Sequence, residues 1–219
     1  MTAINYIIQA NIVDIKTDKP KAEDVFLVDS NVWYWLAYTR ASKAPNPPCS
    51  YQVNSYPSYV KIALEVEASI YVSNLSLAEI THLIEKTERE IYNRVHNINM
   101  KPKVYRHNFP KERLTVVSEV EAAWGQVTSL AKPLVENIDE AMTKQGFLHF
   151  QQEKVDGYDL FILESMKRNG ISQIITDDGD FSSVPDITVF TANQGVLAAA
   201  KEQGKILSPS ERPLALVRS

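Results

Sequence analysis

Apolar residues along the chain gather in short unbroken runs, and the stretches between those runs repeat their apolar positions every three to four residues. Val25-Phe-Leu-Val28 is one such run, stopped by Asp29, and reads as a strand buried on both faces of a parallel sheet. Ile70-Tyr-Val72, Gln173-Ile-Ile175 and Ile187-Thr-Val-Phe190 are of the same kind. Helical spacing predicts a helix from about Asn31 to Arg40, with Val32, Trp35, Leu36 and Thr39 on one side, and another from Tyr59 to Ala68. Leu77, Ile80, Ile84 and Ile91 mark the helix after the second strand. A long helical region follows from Leu114 to Lys144, kinked at Pro133. Tyr158 to Asn169, closed by Gly170, and Asn193 to Gln203, before Gly204, complete the set. Residues 43–58 hold Pro45, Pro47, Pro48 and Pro57 and read as loop, and Ile4 to Ile15 alternates loosely, as a strand or hairpin arm does.

Strands alternating with helices predict an α/β fold, a central parallel sheet flanked by helices with additional inserted helices. The 219 residues are expected to form a single domain, 1–219, with an N-terminal extension over 1–24 and elaborations over 43–69 and 86–150. The single cysteine, Cys49, excludes an internal disulfide framework. No apolar run approaches the roughly 18 residues of a membrane span, and the start lacks a basic segment followed by an apolar one. A cytoplasmic protein without a membrane partner is the expectation.

Charge changes this picture in one place. The net charge is -4, yet the segment from Lys86 to Arg113 holds eight Lys or Arg against three Glu. A local basic segment on an acidic body attracts polyanions. Arg89, Arg94, Lys101, Lys103, Arg106, Lys111 and Arg113 are therefore candidate nucleic-acid contacts, with a solvated helical face as the alternative. Tyr34, Tyr38, Tyr51, Tyr56 and Tyr59 read as packing residues with a polar tip rather than as base-stacking platforms.

The acids carry the chemistry. Asp29 follows the first strand, Glu79 opens the helix after the second, Asp156 and Asp159 begin the helix leading into the third, and Asp177, Asp178 and Asp180 follow that third strand. Crossover helices of a parallel sheet begin where strands end, so these acids share the edge at which open α/β sheets bind ligands. Local roles compete with this reading. Ser76-Leu-Ala-Glu79 has the form of a capping box, Asp156 and Asp159 of an N-cap and a first-turn charge, and Asp177-Asp-Gly-Asp180 of a solvated turn. Clustered carboxylates repel unless protonated or bridged by a cation, and an oxygen-only set favours Mg²⁺ or Mn²⁺ over Zn²⁺. His82, His96, His107 and His149 show no HExxH-like spacing.

Val25-Phe-Leu-Val-Asp29-Ser-Asn31, Val72-Ser-Asn-Leu-Ser-Leu-Ala-Glu79, Asp159-Leu-Phe-Ile-Leu and Ile174-Ile-Thr176-Asp-Asp178-Gly-Asp180-Phe181, in that order, resemble the PIN-domain family, over about residues 25–42, 70–85 and 157–203. Asp29, Glu79, Asp159 and Asp178 match the four family acids in turn, as metal-binding and catalytic residues. Asp180 resembles an additional metal-binding acid, and Asn31 and Thr176 resemble the polar residues that orient ligands or substrate. The resemblance implies Mg²⁺- or Mn²⁺-dependent phosphodiester hydrolysis, with a water attacking phosphorus in line and leaving a 5′-phosphate and a 3′-hydroxyl. It further implies an RNA substrate, single-stranded DNA being the alternative, a toxin-like endoribonuclease role with an antitoxin protein as partner, and a homodimer. A catalytically silent PIN-like binding module is the rival. A haloacid-dehalogenase-like phosphatase is disfavoured, because that chemistry wants a second Asp where Asn31 stands.

Overall fold

Val25–Val28 (β2) lies at the centre of the molecule because every second side chain finds a different apolar layer. The computed structural model describes residues 4–212, so residues 1–3 of the N-terminal extension and residues 213–219 lie outside the described residues. Asn11–Asp14 (β1) precedes β2, and Ser30–Ala37 (α1), Ser50–Glu65 (α2), Ser69–Val72 (β3) and Ser76–His96 (α3) follow it. Next come Pro102–Asn108 (α4), Pro110–Leu130 (α5), Lys132–Pro133 (β4), Glu140–Gln152 (α6) and Asp159–Arg168 (α7). Gln173–Ile175 (β5), Thr188–Thr191 (β6) and Gln194–Glu202 (α8) close the chain. Among the described residues the strands form a six-stranded sheet in the order β1-β6-β5-β2-β3-β4, and every pairing is parallel. The α/β expectation is met.

The unbroken apolar runs have the predicted cause. Phe26, Val28, Ile175 and Phe190 face a layer with Trp33, Tyr56, Tyr59 and Val60, whereas Leu27, Ile174 and Val189 face Ile162, Leu163, Met166 and Val196. Each large side chain removed from water this way contributes roughly 1.5–3 kcal/mol. Among the described residues no helix is long and apolar enough to cross a membrane.

Four local expectations need correction. Residues 43–58 are not loop throughout, because α2 already begins at Ser50 and carries Pro57 inside it. The helix tolerates the lost hydrogen bond because Tyr56, Tyr59, Val60 and Ala63 bury its inner face. The region from Leu114 to Lys144 is not one kinked helix. It is α5, then β4, then α6, and Pro133 sits on the edge strand of the sheet, where a missing N–H is harmless. On α1 the fully buried residues are Val32 and Trp33, whereas Trp35 and Leu36 are only partly covered, since α2, α3 and α5 all pack against this short helix. Within Ile4 to Ile15, strand structure is confined to β1.

Candidate metal centre

Strand register assembles the site. Val28 pairs with Ile175 and Leu27 with Tyr71, so β2, β3 and β5 end side by side. Asp29 and Thr176 are the next residues along, and Thr176 Oγ1 donates to Asp29 Oδ2 at 2.6 Å. The other Asp29 oxygen accepts from Ser30 N–H at 2.6 Å, so Asp29 also caps α1. Glu79 arrives one turn into α3, and Asp159 opens α7. One carboxylate oxygen from each of Asp29, Glu79 and Asp159 lies within 4.8 Å of the other two.

Glu79 and Asp159 both lie in the first turn of their helices, but neither helix has a side-chain cap. Helix α3 has Leu75 at its N-cap with no side-chain cap bond; Ser76 Oγ instead pairs with Ser30 Oγ at 2.9 Å, and Ser30 Oγ also donates to Glu79. Helix α7 has Tyr158 at its N-cap, again without a side-chain cap. As first-turn acids both favour the helix N-terminus by charge, while their carboxylates remain free of capping bonds.

The three carboxylates border a cavity of about 340 Å³ that Ser30, Asn31, Asp156 and Asp178 also line. Among the described residues no lysine or arginine lines it. Burial is the first cause of every acid's shift here. Burial, then the charges of Asp178 and Glu79, push Asp29 up to about 7, against the bonds from Thr176 and Ser30. Asp159 is pushed up to about 9 by burial and by the charges of Asp29, Glu79, Asp178 and Asp156. Glu79 and Asp178 are raised as well. A divalent cation fits this donor set. The oxygens are close, no lining Lys or Arg compensates them when they ionise, and Asn31 adds a buried Oδ1 with no hydrogen-bond partner among the described residues.

Asp178 stands at the cavity wall, outside the group of three. Its N–H donates to Thr176 Oγ1 at 2.9 Å, and its Oδ1 accepts from Asp180 N–H at 2.8 Å. Thr176 thus ties Asp29 to the Asp178 loop. Asp180 joins neither the three-carboxylate group nor the cavity lining; it borders a separate depression with Tyr6 and Lys154. Asp156 lines the cavity in its place, although sequence reasoning preferred Asp159 alone from that segment.

Asp177 faces the other way. Its Oδ2 accepts from Gln52 Nε2 at 2.6 Å and Tyr51 Oη at 3.1 Å, and its Oδ1 from Tyr56 Oη at 2.7 Å. Asp177→Asn is therefore expected to leave Mn²⁺ affinity unchanged while costing about 1–3 kcal/mol of stability through weakened buried bonds. Asp178→Asn is expected to lower Mn²⁺ affinity roughly ten- to a hundredfold through lost charge beside the ligands. Calorimetric titration and denaturant unfolding of both variants separate the two residues, and equal losses of affinity would count against this division.

The basic segment is less free than its sequence suggests. Arg106 and Arg113 both bind the buried Glu85, Arg113 at 2.8 Å. Arg89 donates to Met100 O at 3.2 Å, and Arg94 to Lys43 O at 2.6 Å. Lys101, Lys103 and Lys111 are exposed and, among the described residues, make no side-chain hydrogen bond or ion pair. The tyrosines behave as packing residues with polar tips: Tyr34 meets Thr87, Tyr38 donates to Glu88, and Tyr59 donates to Asp18.

A family model described as PIN domain matches residues 54–187. Glu79, Asp159 and Asp178 fall inside that stretch, and Asp29 reaches the same cavity from outside it through β2. No curated protein matches the chain.

Proposed function

The chain belongs to the PIN-domain family, whose members are generally metal-dependent nucleases, and from that premise we propose that it is an Mg²⁺- or Mn²⁺-dependent endonuclease acting on single-stranded RNA. One observation carries the proposal: Asp29, Glu79 and Asp159 converge within 4.8 Å in a cavity without a lining cation. Asp29, Glu79 and Asp159 would hold the ion, with Asp178 and Asp156 adding negative charge at the wall. When bound, such an ion lowers the pKa of its water and neutralises phosphate charge. Thr176 and Ser30 fix the orientation of Asp29, and Ser30 also fixes Glu79, so the ligand oxygens are arranged before substrate arrives. Attraction of the phosphate backbone falls to the exposed Lys101, Lys103 and Lys111 and to the outward edges of Arg106 and Arg113. A toxin-like role, with an antitoxin protein covering the cavity, is the biological setting that the family resemblance favours.

The test is cleavage of a mixed pool of RNAs and single-stranded DNAs with Mg²⁺, with Mn²⁺ and with chelator. Internal cuts in RNA, lost with chelator and ending in 5′-phosphate and 3′-hydroxyl, are the expected result. Binding of Mn²⁺ without cleavage of either pool would replace this reading with that of a silent binding module.

A further inference from the structure

A second depression continues the metal cavity. It measures about 450 Å³, shares His82 and Tyr158 with the first, and is bounded by Ala78, Thr81, Glu85 and Arg106. Ala78, Thr81, His82 and Glu85 recur at the spacing of one face of α3, so the combined groove follows that helix away from Glu79. The second depression alone is within the roughly 300–1,000 Å³ range of ligand sites, room for one nucleotide.

Two side chains in this groove keep a group free for a ligand, the ring of Tyr158 and one guanidinium nitrogen of Arg106. Tyr158 is 46% exposed, directly precedes Asp159, and makes no ring contact or side-chain hydrogen bond among the described residues. Tyr34, Tyr51, Tyr56 and Tyr59 of α1 and α2, by contrast, are tied down by their hydroxyls. Arg106 presents Nε to Glu85 at 2.9 and 3.1 Å and Nη2 to the same carboxylate, which leaves Nη1 without a hydrogen bond among the described residues. Its side chain is 43% exposed. Glu85 itself is buried, held well below the ordinary carboxylate range first by the Arg106 hydrogen bond, and shared with Arg113. Two guanidinium groups on one carboxylate leave a net positive charge, and the fork fixes Arg106 so that little freedom remains to be lost on binding a phosphate.

We propose that this groove is the subsite for the nucleotide flanking the scissile phosphate, with its base stacked on Tyr158 and its phosphate held by Arg106 Nη1. The proposal rests on the nuclease reading and adds two consequences. The substrate must be unpaired at that nucleotide, because a base within a duplex cannot offer its face to Tyr158. Any base is accepted there, because stacking needs only a π-face.

Binding is measured in the Asp29→Asn background by fluorescence anisotropy, with labelled single-stranded RNA 12-mers of several sequences. Adding Tyr158→Ala is expected to weaken every RNA about 5- to 150-fold, the range for loss of one stacked base. Tyr158→Phe is expected to bind like the parent. Arg106→Ala is expected to weaken all sequences alike and to flatten the slope of log affinity against log salt by about 0.7. Duplex RNA of the same sequence is expected to compete poorly. Mn²⁺ affinity, measured with Asp29 intact, should not change in any of these variants. Parent-like binding by Tyr158→Ala overturns the subsite, as does a loss of Mn²⁺ affinity in Tyr158→Ala that accounts for the weaker binding. In either case the nuclease reading stands if the wild type still cleaves. If the wild type neither cleaves nor binds RNA while retaining Mn²⁺, the nuclease reading fails, and the subsite with it.

Discussion

Asp159→Asn is expected to abolish phosphodiester cleavage and, at pH 8 without metal, to melt at a higher temperature than the wild type. The two effects have one origin. Asp159 is drawn from water into a wall of carboxylates, and burial together with Asp29, Glu79, Asp178 and Asp156 raises it to about 9. No hydrogen bond reaches its carboxylate among the described residues, so its place in the first turn of α7 is a small local gain against that burial. The amide has nearly the same shape, carries no charge and is a poor ligand. Metal catalysis contributes several kcal/mol and each 1.36 kcal/mol is tenfold, so cleavage should drop roughly a thousandfold or more. Each pKa unit is about 1.4 kcal/mol, and 1 kcal/mol is roughly 2–4 °C in a chain of this size, so the metal-free variant should gain several degrees. Asp29→Asn should match the loss of activity but gain less stability, because Asp29 accepts from Ser30 and Thr176 and an amide keeps only part of that arrangement. Thermal melts in chelator and cleavage assays at saturating Mg²⁺ test both. Near-wild-type cleavage by Asp159→Asn would remove it from the ligand set, and an unfolded variant would assign the acid to the fold.

The placement of these acids was legible because strand ends are legible. A run such as Val25–Val28 needs cover on both faces, which requires a parallel sheet, and a parallel sheet brings its strand ends to one edge. Asp29 and Thr176 meet for that reason alone, since the pairing of Val28 with Ile175 makes them neighbours. Partners set by side-chain reach rather than by chain direction left no such trace. Glu85 directly precedes the basic segment as one acid of α3, and nothing in its spacing shows that it holds Arg106 from α4 and Arg113 from α5. The tyrosine face of α2 was hidden by Pro57, a local signal overruled by burial of Tyr56 and Tyr59. Asp156 and Tyr158 are exposed, and exposed positions carry no hydrophobic period from which a wall of the cavity could be read. Asp180 has the right distance in sequence from Thr176, but the turn that gives its N–H to Asp178 carries it out of the cavity.

Apparent affinity for Mn²⁺ is expected to climb about tenfold per pH unit between pH 7 and 9, and more steeply below 7. Metal ligands bind as carboxylates, so each proton displaced on binding adds one power of ten per unit. Asp159 at about 9 supplies one such proton above pH 7, and Asp29 at about 7 supplies a second below it. The same protons set the stability of the metal-free protein. Both folded values lie above the unfolded value of 3.8, so from about pH 4 to 9 the folded chain holds more protons than the unfolded one. The contribution of the protonated cluster is complete below pH 4 and is lost as the pH climbs through 7 and 9, so metal-free stability should fall over that window. Saturating Mn²⁺ ionises the cluster in the folded state and removes this slope, so the gain in melting temperature on adding the ion should be larger at pH 8.5 than at pH 6. Glu85 is lowered, chiefly by Arg106, and acts oppositely, but only at acid pH, where it loses its ion pairs. Titration calorimetry in buffers of different ionisation enthalpy counts the protons released. A flat Mn²⁺ affinity from pH 6 to 8.5, with no proton release, would mean that Asp29 and Asp159 are ionised without the ion, and burial would then not be the force that shapes this centre.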